Sequence, residues 1–231
     1  MILRAAKYAL DNPRYFARYF VGGPDRLLSL VGPGTLREYR AEMPPSQEGY
    51  WQRRQCAFLY ALVRALGPKR VVETGVFEGV FSTAILQGLH DNGFGRLISI
   101  DLPARKPIQG STSLYRTKQT RQQCLPPGRW PGWRIPDHLL PRWKLHLGDS
   151  RHWLRPVLED LGTIDLFFHD SLHTYDHMTW EYETAWPHLT SKGLLVSHDI
   201  HWNRAFLDMA GRHDRTDYAC WGFGVLRKEE P

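Results

Sequence analysis

The side chains of this sequence that could do chemistry gather directly after two short apolar runs, IDLFF and GLLVS. They comprise two carboxylates and four imidazoles: His169, Asp170, His173, His198, Asp199 and His201. Imidazole takes up a proton near neutral pH, and both group types can bind a divalent cation. If the fold brings the two clusters together, they can serve as a general base or as a metal site.

The elements that must position these groups are predicted within residues 164–206. The two apolar runs predict short buried strands, and an amphipathic segment between them predicts a helix, with apolar residues at Met178, Tyr182, Ala185, Trp186 and Leu189. A strand, a crossover helix and a second strand form a parallel pair. In an open parallel sheet, ligands bind outside the carboxyl ends of the strands, where both clusters would lie.

A second polar stretch follows the predicted first strand, KRVVETG. Its turn runs from Glu73 to Gly79 and precedes a predicted helix over residues 80–89. A dinucleotide-binding turn needs a second glycine so that a pyrophosphate can approach the backbone, but Phe77 stands at that place and Glu78 follows it. S-adenosylmethionine has no phosphate and carries a sulfonium and an ammonium group, so this acidic turn suits it better.

The next two predicted strands also end in polar residues. RLISID ends at Asp101, whose carboxylate can accept hydrogen bonds from both hydroxyls of a ribose. WKLHLGDS ends at Asp149 and Ser150. Asp149 can cap the following helix or meet the adenine amino group, and these two roles are compatible.

Taken in order, the stretches ETGVFEGVFS, LISID, LHLGDS, IDLFFHDSLHTY and GLLVSHDI resemble the motifs of the class I S-adenosylmethionine-dependent methyltransferases. The resemblance covers residues 47–228. It is strongest to the branch with the metal-dependent sugar O-methyltransferases of macrolide biosynthesis, and more distant to catechol O-methyltransferase. It implies a doubly wound α/β fold whose seven-stranded, mostly parallel sheet has an antiparallel last strand. It also implies a set of cofactor-binding residues: Glu73, Gly75, Gly79, Ser82, Asp101, Asp149 and Ser150.

In that branch a D-x-x-H motif supplies a metal ligand and a general base, and it corresponds here to Asp170 and His173. The resemblance therefore implies that both residues are catalytic, with His173 as the base; His201 is the alternative base. The branch completes its metal site with a pair of acids, but this sequence has His198 and Asp199 there. Magnesium prefers oxygen ligands, whereas imidazole suits manganese and other transition metals. Two interpretations stay open: a magnesium or manganese site formed by Asp170, His198 and Asp199, or acids that orient imidazoles or a substrate hydroxyl without a metal.

The predicted methyltransferase domain spans residues 47–231 and contains a long basic insert at residues 102–142. The insert holds eight Lys or Arg and one acid, so its net charge of +7 exceeds the +6 of the whole chain. Such long loops are usually functional or disordered. We interpret the insert as a lid that meets an anionic acceptor; the alternative is a solvated flap. The candidate contacts are Arg105, Lys106, Arg116, Lys118 and Arg121.

Residues 1–46 are predicted to form a helical arm with basic and apolar residues interspersed. The arm can cover its own domain or a second subunit, which leaves a homo-oligomer open, or it can lie on an anionic membrane. No apolar run reaches the roughly 18 residues of a spanning helix. The three cysteines, Cys56, Cys124 and Cys220, are widely spaced and match neither a disulfide framework nor a zinc motif. We expect a protein of the cytoplasm.

The function predicted from the sequence is O-methylation of a small hydroxylated molecule, such as a sugar, a glycolipid precursor or a secondary metabolite. Three alternatives remain. An RNA methyltransferase would explain the isoelectric point of about 9.3, although no RNA-binding module is recognised and nucleic acid is the weaker choice of partner. The histidines and carboxylates also suit a metal-dependent hydroxylase. A catalytically silent member of the same fold is the third.

Overall fold

A computed structural model describes residues 50–103, 125–213, 218–220 and 222–229. In chain order these residues form α1 (Tyr50–Leu66), β1 (Arg70–Thr74), α2 (Val80–Asp91), β2 (Arg96–Asp101), β3 (Trp143–Leu147), α3 (Ser150–Leu161), β4 (Ile164–His169), α4 (Tyr175–Ala185), β5 (Leu189–Ser197), α5 (Ala205–Arg212), β6 (Tyr218–Cys220) and β7 (Phe223–Arg227). A short 3-10 helix, Asp137–Arg142, leads into β3.

The strands form one seven-stranded sheet in the order β3-β2-β1-β4-β5-β7-β6. The first five strands in this order, β3-β2-β1-β4-β5, are parallel to one another. Strand β7 pairs antiparallel with both β5 and β6. The prediction of a seven-stranded, mostly parallel sheet with an antiparallel last strand is therefore confirmed.

Both faces of the sheet are buried, which explains why its central strands read as continuous apolar runs. Side chains alternate along each strand, so Val71 and Phe168 pack with α1 and α2 on one face. Val72, Phe167 and Leu195 pack with α3, α4 and α5 on the other face. The result is the doubly wound α/β arrangement that the sequence predicted, and all strand ends that carry polar residues meet at one edge.

The residues that follow β1 and β4, two neighbouring strands, pack closely against each other. Asp170 N donates a hydrogen bond to Thr74 O at 2.8 Å. Gly75 has a φ of +86°, and a Cβ placed on it would lie 2.2 Å from the backbone oxygen of Asp170. Only glycine fits this position, both for its left-handed backbone and for the space. Residues 73–79, at the carboxyl end of β1, are called the first polar turn below. Gly75 therefore allows this turn to touch the D-x-x-H segment at residues 170–173.

The described end of the basic insert packs against the first polar turn. Gly132 N donates to Phe77 O at 2.8 Å, and Arg134 N donates to Glu78 O at 3.1 Å. Ile135 is buried in the core on the α1 and α2 side. The predicted arm at residues 1–46 and the five candidate contacts of the acceptor, Arg105, Lys106, Arg116, Lys118 and Arg121, lie outside the described residues. Within the part of the chain that the structure describes, no helix is long and apolar enough to span a membrane.

The approach of β1 to β4 predicts that Gly75→Ala is far more costly than Gly93→Ala. Gly93 also has a positive φ, +79°, but a Cβ there would meet nothing within 4 Å. Gly93→Ala should cost only the left-handed backbone penalty of roughly 1–2 kcal/mol. Gly75→Ala adds a backbone clash, and its loss of unfolding free energy should exceed about 3 kcal/mol. Urea unfolding measures both, and equal losses would contradict this account of Gly75.

Candidate active site

The centre of the site is a hydrogen-bonded pair formed by Asp170, which follows β4, and His198, which follows β5. The N–H of His198 Nδ1 donates to Asp170 Oδ1 at 2.8 Å. The backbone holds the pair in place, because His198 N donates to the carbonyl oxygen of His169 at 2.9 Å. His173 Nε2 lies 3.6 Å from the same Asp170 oxygen. The two polar clusters therefore meet, as the parallel strands predicted.

The pKa values of His198 and His173 are shifted in opposite directions. Burial disfavours the charged form of His198, but the nearby carboxylates of Asp170 and Asp199 outweigh burial and raise the pKa of His198 to about 9. For His173, burial and then the neighbouring His169 lower the pKa to about 4. The protonated form is therefore favoured at His198 and the neutral form at His173. Such separated pKa values are a frequent property of acid and base pairs in active sites.

Asp199 lies on the other side of His198. Its Oδ1 is 3.7 Å from His198 Nε2 and 4.0 Å from His201 Nδ1. Burial would raise the pKa of Asp199, but its electrostatic interactions, first with His198 and then with His173 and His201, lower it below the usual value. The backbone of Asp199 has a φ of +50°, which is costly for a residue with a side chain and occurs often at functional sites.

Three side chains converge closely enough to hold a metal ion. One ligand atom from each of Asp170, His173 and His198 lies within 4.8 Å of the other two. The sequence-based set had Asp199 where this group has His173. One oxygen and two nitrogen donors fit manganese or another transition metal better than magnesium, which prefers oxygen ligands.

Two further carboxylates lie at the first polar turn. Asp101 Oδ2 accepts hydrogen bonds from Val76 N at 2.6 Å and Phe77 N at 2.9 Å. Glu73 is fully buried, and burial, followed by smaller effects that include the charges of Asp170 and Asp101, raises its pKa to about 8. Burial and then Asp170 also raise the pKa of Asp101. These carboxylates repel one another, and a cationic ligand would relieve that repulsion.

A family model described as "Methyltransferase domain" matches residues 72–200, which is more than half of the chain. The chain belongs to this methyltransferase family. The matched span runs from β1 to the residues after β5, so it contains both halves of the site. The predicted membership of the class I S-adenosylmethionine-dependent methyltransferases is confirmed. No curated protein matches the sequence.

Solved structures show that methyltransferases share this fold at low sequence identity. A Klebsiella pneumoniae protein described as an O-methyltransferase is 18% identical, with a TM-score of 0.52 over 94% of this chain and 96% of its own. The S-adenosylhomocysteine-bound methyltransferase PaMTH1 of Podospora anserina is 14% identical, with a TM-score of 0.52 over 89% and 95%. A Geobacter sulfurreducens methyltransferase is 17% identical, with a TM-score of 0.51 over 87% and 88%.

Several residues predicted to bind the cofactor of this methyltransferase have partners within the protein. Ser82 is fully buried and donates to Glu73 Oε2 at 2.8 Å, beneath the turn. Gly79 faces the insert, because a Cβ on it would lie 2.8 Å from the Cα of Gly132. Asp149 caps α3 by accepting from Arg151 N at 2.9 Å, which is the first of its two predicted roles. Ser150 Oγ lies 3.1 Å from His177 Nε2.

Sequence reasoning missed the residue that organises the interior of the site, Glu181 on α4. Each oxygen of this fully buried carboxylate has two partners, so four side chains contact it: Thr74 at 2.6 Å, His169 at 2.6 Å, Ser171 at 2.9 Å and His177 at 2.9 Å. Burial opposes its ionisation, but the charge of His169 and the hydrogen bonds of both histidines lower the pKa of Glu181 well below its usual value. The available signal was an acid on the same helical face as Met178 and Tyr182, which are apolar and buried.

His169 and Gln55 also differ from expectation. His169 was expected at the rim, but it is fully buried beneath it and hydrogen-bonded to Glu181. Gln55 on α1 was not predicted, and its Nε2 lies 3.0 Å from His198 Nε2. Its contribution requires that α1 lie over β5, which the residue pattern of α1 does not reveal.

The raised pKa of Glu73 predicts a specific dependence of stability on pH in the cofactor-free protein. An unfolded glutamate ionises near pH 4.3, whereas the pKa of folded Glu73 is about 8. The folded state therefore holds the proton more tightly, and its stability should fall as pH rises between these two values. Glu73→Gln, which can still accept from Ser82 and Ser99, should remove that slope.

Urea unfolding at about pH 5 and about pH 8 compares the two proteins across this window. Glu73→Gln should gain stability relative to the parent at the higher pH. The exposed residue Glu159 on α3 provides the control, since Glu159→Gln should leave the profile unchanged. Parallel profiles for the parent and Glu73→Gln would contradict the burial of an ionisable Glu73.

Proposed function

We propose that this methyltransferase transfers a methyl group from S-adenosylmethionine to a hydroxyl oxygen of a small acceptor bound at the carboxyl edge of the sheet. The observation that carries the proposal is the position of Asp170. Its backbone touches the first polar turn at Gly75, and its side chain binds His198 and approaches His173. A cofactor on the turn and an acceptor at the histidines would therefore be neighbours.

The residues proposed to hold the cofactor are Glu73 and Gly75 at its methionine end and Asp101 at its ribose. Glu73 Oε1 is buried and has no hydrogen-bond partner among the described residues, so it can accept from an ammonium group. One oxygen of Asp101 serves the turn, which leaves the other for a ribose hydroxyl. Ser82 supports Glu73 from below, and Asp149 and Ser150 are proposed to border the adenine. The cofactor, when bound, supplies a methyl group activated by a sulfonium.

His173 is proposed as the general base. Its Nε2 is buried and has no hydrogen-bond partner among the described residues, although Asp170 lies close by. As the acceptor oxygen forms its bond to the methyl carbon, the bond between that carbon and the sulfonium sulfur would break, with S-adenosylhomocysteine as the leaving group. The hydroxyl proton would pass to His173 Nε2, and the Asp170 carboxylate would stabilise the resulting imidazolium. Placement supplies much of the acceleration of an in-line displacement, because the reacting atoms are held together.

A divalent ion would bind Asp170 and His198, with Asp199 or His173 completing the set. Such an ion would act as a Lewis acid toward the acceptor oxygen. The residues present fit a transition metal, since imidazole nitrogens outnumber carboxylate oxygens in the converging group.

The acceptor is proposed to be anionic because the insert carries so much positive charge. Near the first polar turn, Arg129 Cζ lies 4.6 Å from the centre of the exposed Trp133 ring. The second arginine there, Arg134, pairs with Glu78 at 3.2 Å. A phosphate, carboxylate or sulfate on the acceptor would find a cationic and aromatic surface beside the site.

A second candidate function, metal-dependent hydroxylation, is favoured by one observation. Two histidines and one carboxylate form the converging group, and non-haem iron oxygenases use such a set. Aerobic incubation of the ferrous protein with candidate substrates would reveal hydroxylation as oxygen consumption.

Methyl transfer from labelled S-adenosylmethionine to a panel of hydroxylated and phosphorylated sugars tests the main proposal.

The ribose assignment predicts that Asp101→Asn weakens binding of S-adenosylhomocysteine at least about tenfold. The amide oxygen can still accept from the turn, but the charge-assisted bond to the ribose, worth roughly 1.5–3 kcal/mol, is lost. Isothermal titration calorimetry measures the change. Asp160→Asn, an exposed acid at the end of α3, is the matched control and should bind as the parent does. Unchanged affinity in Asp101→Asn removes Asp101 from the cofactor site.

The base assignment predicts that His173→Ala lowers kcat by roughly 10²–10⁴-fold, while His201→Ala, which changes the alternative base, has little effect. Steady-state methyl transfer at saturating substrate measures both. Activity in the presence of a chelator separates the two interpretations of Asp170 and His198. Full activity there excludes a metal, whereas loss with recovery in manganese assigns them to an ion. An unchanged kcat in His173→Ala contradicts its role as the base.

A further inference from the structure

A cavity lies at the amino ends of the parallel strands, opposite the proposed site of methyl transfer. Its volume is about 420 Å³, and it is bordered by the amino ends of β1, β2 and β3 together with the end of α3. Its charged lining residues are four cations and one acid: Arg70, Arg96, Arg142, Lys144 and Asp160. The apolar lining includes Leu97, Ile98 and Leu161.

The sheet register explains why three of these cations share one face. Arg70 on β1 pairs with Arg96 on β2, and Ile98 on β2 pairs with Lys144 on β3. Paired residues of neighbouring parallel strands point to the same face, and so do residues two apart in one strand. Arg70, Arg96 and Lys144 therefore project together toward the face that α3 covers. Arg142 joins them from the short helix before β3.

Among the described residues, no carboxylate forms an ion pair with the cations of this cavity. Arg70 Nη1 donates to the carbonyl oxygen of Leu161, and Arg142 Nη1 donates to that of Gly95 at 3.1 Å. Both acceptors are neutral. Within the residues that the structure describes, none of the four cations has a carboxylate within 4.0 Å, Asp160 included. One acid among four cations leaves an excess of three positive charges around the cavity.

From this geometry we infer that the cavity is a binding site for a phosphorylated small molecule. The guanidinium groups of Arg70 and Arg142 are already oriented by backbone carbonyls, so less side-chain entropy is lost when a ligand binds. Each retains further N–H donors, which match the oxygens of a phosphate. The volume lies within the range of small-ligand pockets, about 300–1,000 Å³. RNA would need a groove that follows its backbone, and a cavity of this size favours a small ligand instead.

This site is separate from the proposed methyl-transfer site, because the two lie at opposite ends of the same strands. β1 has five residues, which corresponds to roughly 16 Å at about 3.3 Å per residue. A ligand in the cavity therefore does not touch Glu73 or Asp101. The inference stands independently of the acceptor and of the general base.

Inorganic pyrophosphate is a suitable probe, titrated by calorimetry into the full-length protein. The parent should bind it in a saturable manner. Arg96→Gln with Lys144→Gln should weaken that binding at least about tenfold, since each charge-assisted contact is worth about that factor. Both residues are exposed, so the double variant should fold. The affinity of the double variant for S-adenosylhomocysteine should equal that of the parent. This equality would show that the substitutions leave the fold intact.

The matched control removes the same charge from elsewhere, with Arg155→Gln and Arg204→Gln, two exposed arginines outside the cavity. This control should bind pyrophosphate as the parent does. No saturable binding by the parent, or an equal loss in both double variants, would overturn the inference. Tight binding of a single-stranded RNA that depends on Arg96 and Lys144 and that pyrophosphate does not compete would also overturn it, in favour of a nucleic-acid surface.

Discussion

The arrangement of the carboxyl edge depends on one buried carboxylate, that of Glu181. It accepts hydrogen bonds from groups on β1, β4, the loop after β4 and its own helix. Ser150 at the start of α3 joins the same network through His177. A buried charge is tolerated only when it is well hydrogen-bonded, and removing any partner leaves a costly unsatisfied group. Glu181 therefore ties together the elements whose ends form the site, in a part of the interior where apolar packing alone would not fix their positions.

Above this network the site brings three acidic side chains close together. Glu73, Asp101 and Asp170 influence one another, and the pKa of Glu73 and of Asp101 is raised, chiefly by burial. Ionisation of these acids is costly in the cofactor-free fold, because it places charge out of water and near like charge. The same arrangement favours a cation that arrives from solvent. The acids that favour binding of a cation thus lower the stability of the cofactor-free protein, a common relation between stability and function.

The fold was predictable from sequence because its signals are local. Each signal is contained in a few consecutive residues: apolar runs such as IDLFF, the glycine turn after β1, and the polar residues that end each strand. Strand alternation explains why His169 was misplaced: it is the last residue of β4 and points into the interior, whereas Asp170 follows the strand and reaches the edge. Glu181 could not be assigned, because its partner Thr74 is 107 residues away. The contact of Gln55 with His198 spans 143 residues and depends on how helix and sheet pack.

The described end of the insert and the first polar turn are held together by several contacts. Two backbone hydrogen bonds and the ion pair of Arg134 with Glu78 join residues 132–134 to Phe77 and Glu78. Gly79 and Gly132 are in direct contact, with no space for a side chain between them. Lifting this end of the insert away from the domain would break those contacts and release the turn on which the cofactor is proposed to rest. Movement of this end of the insert and opening of the turn would then be coupled through the peptide backbone of this junction.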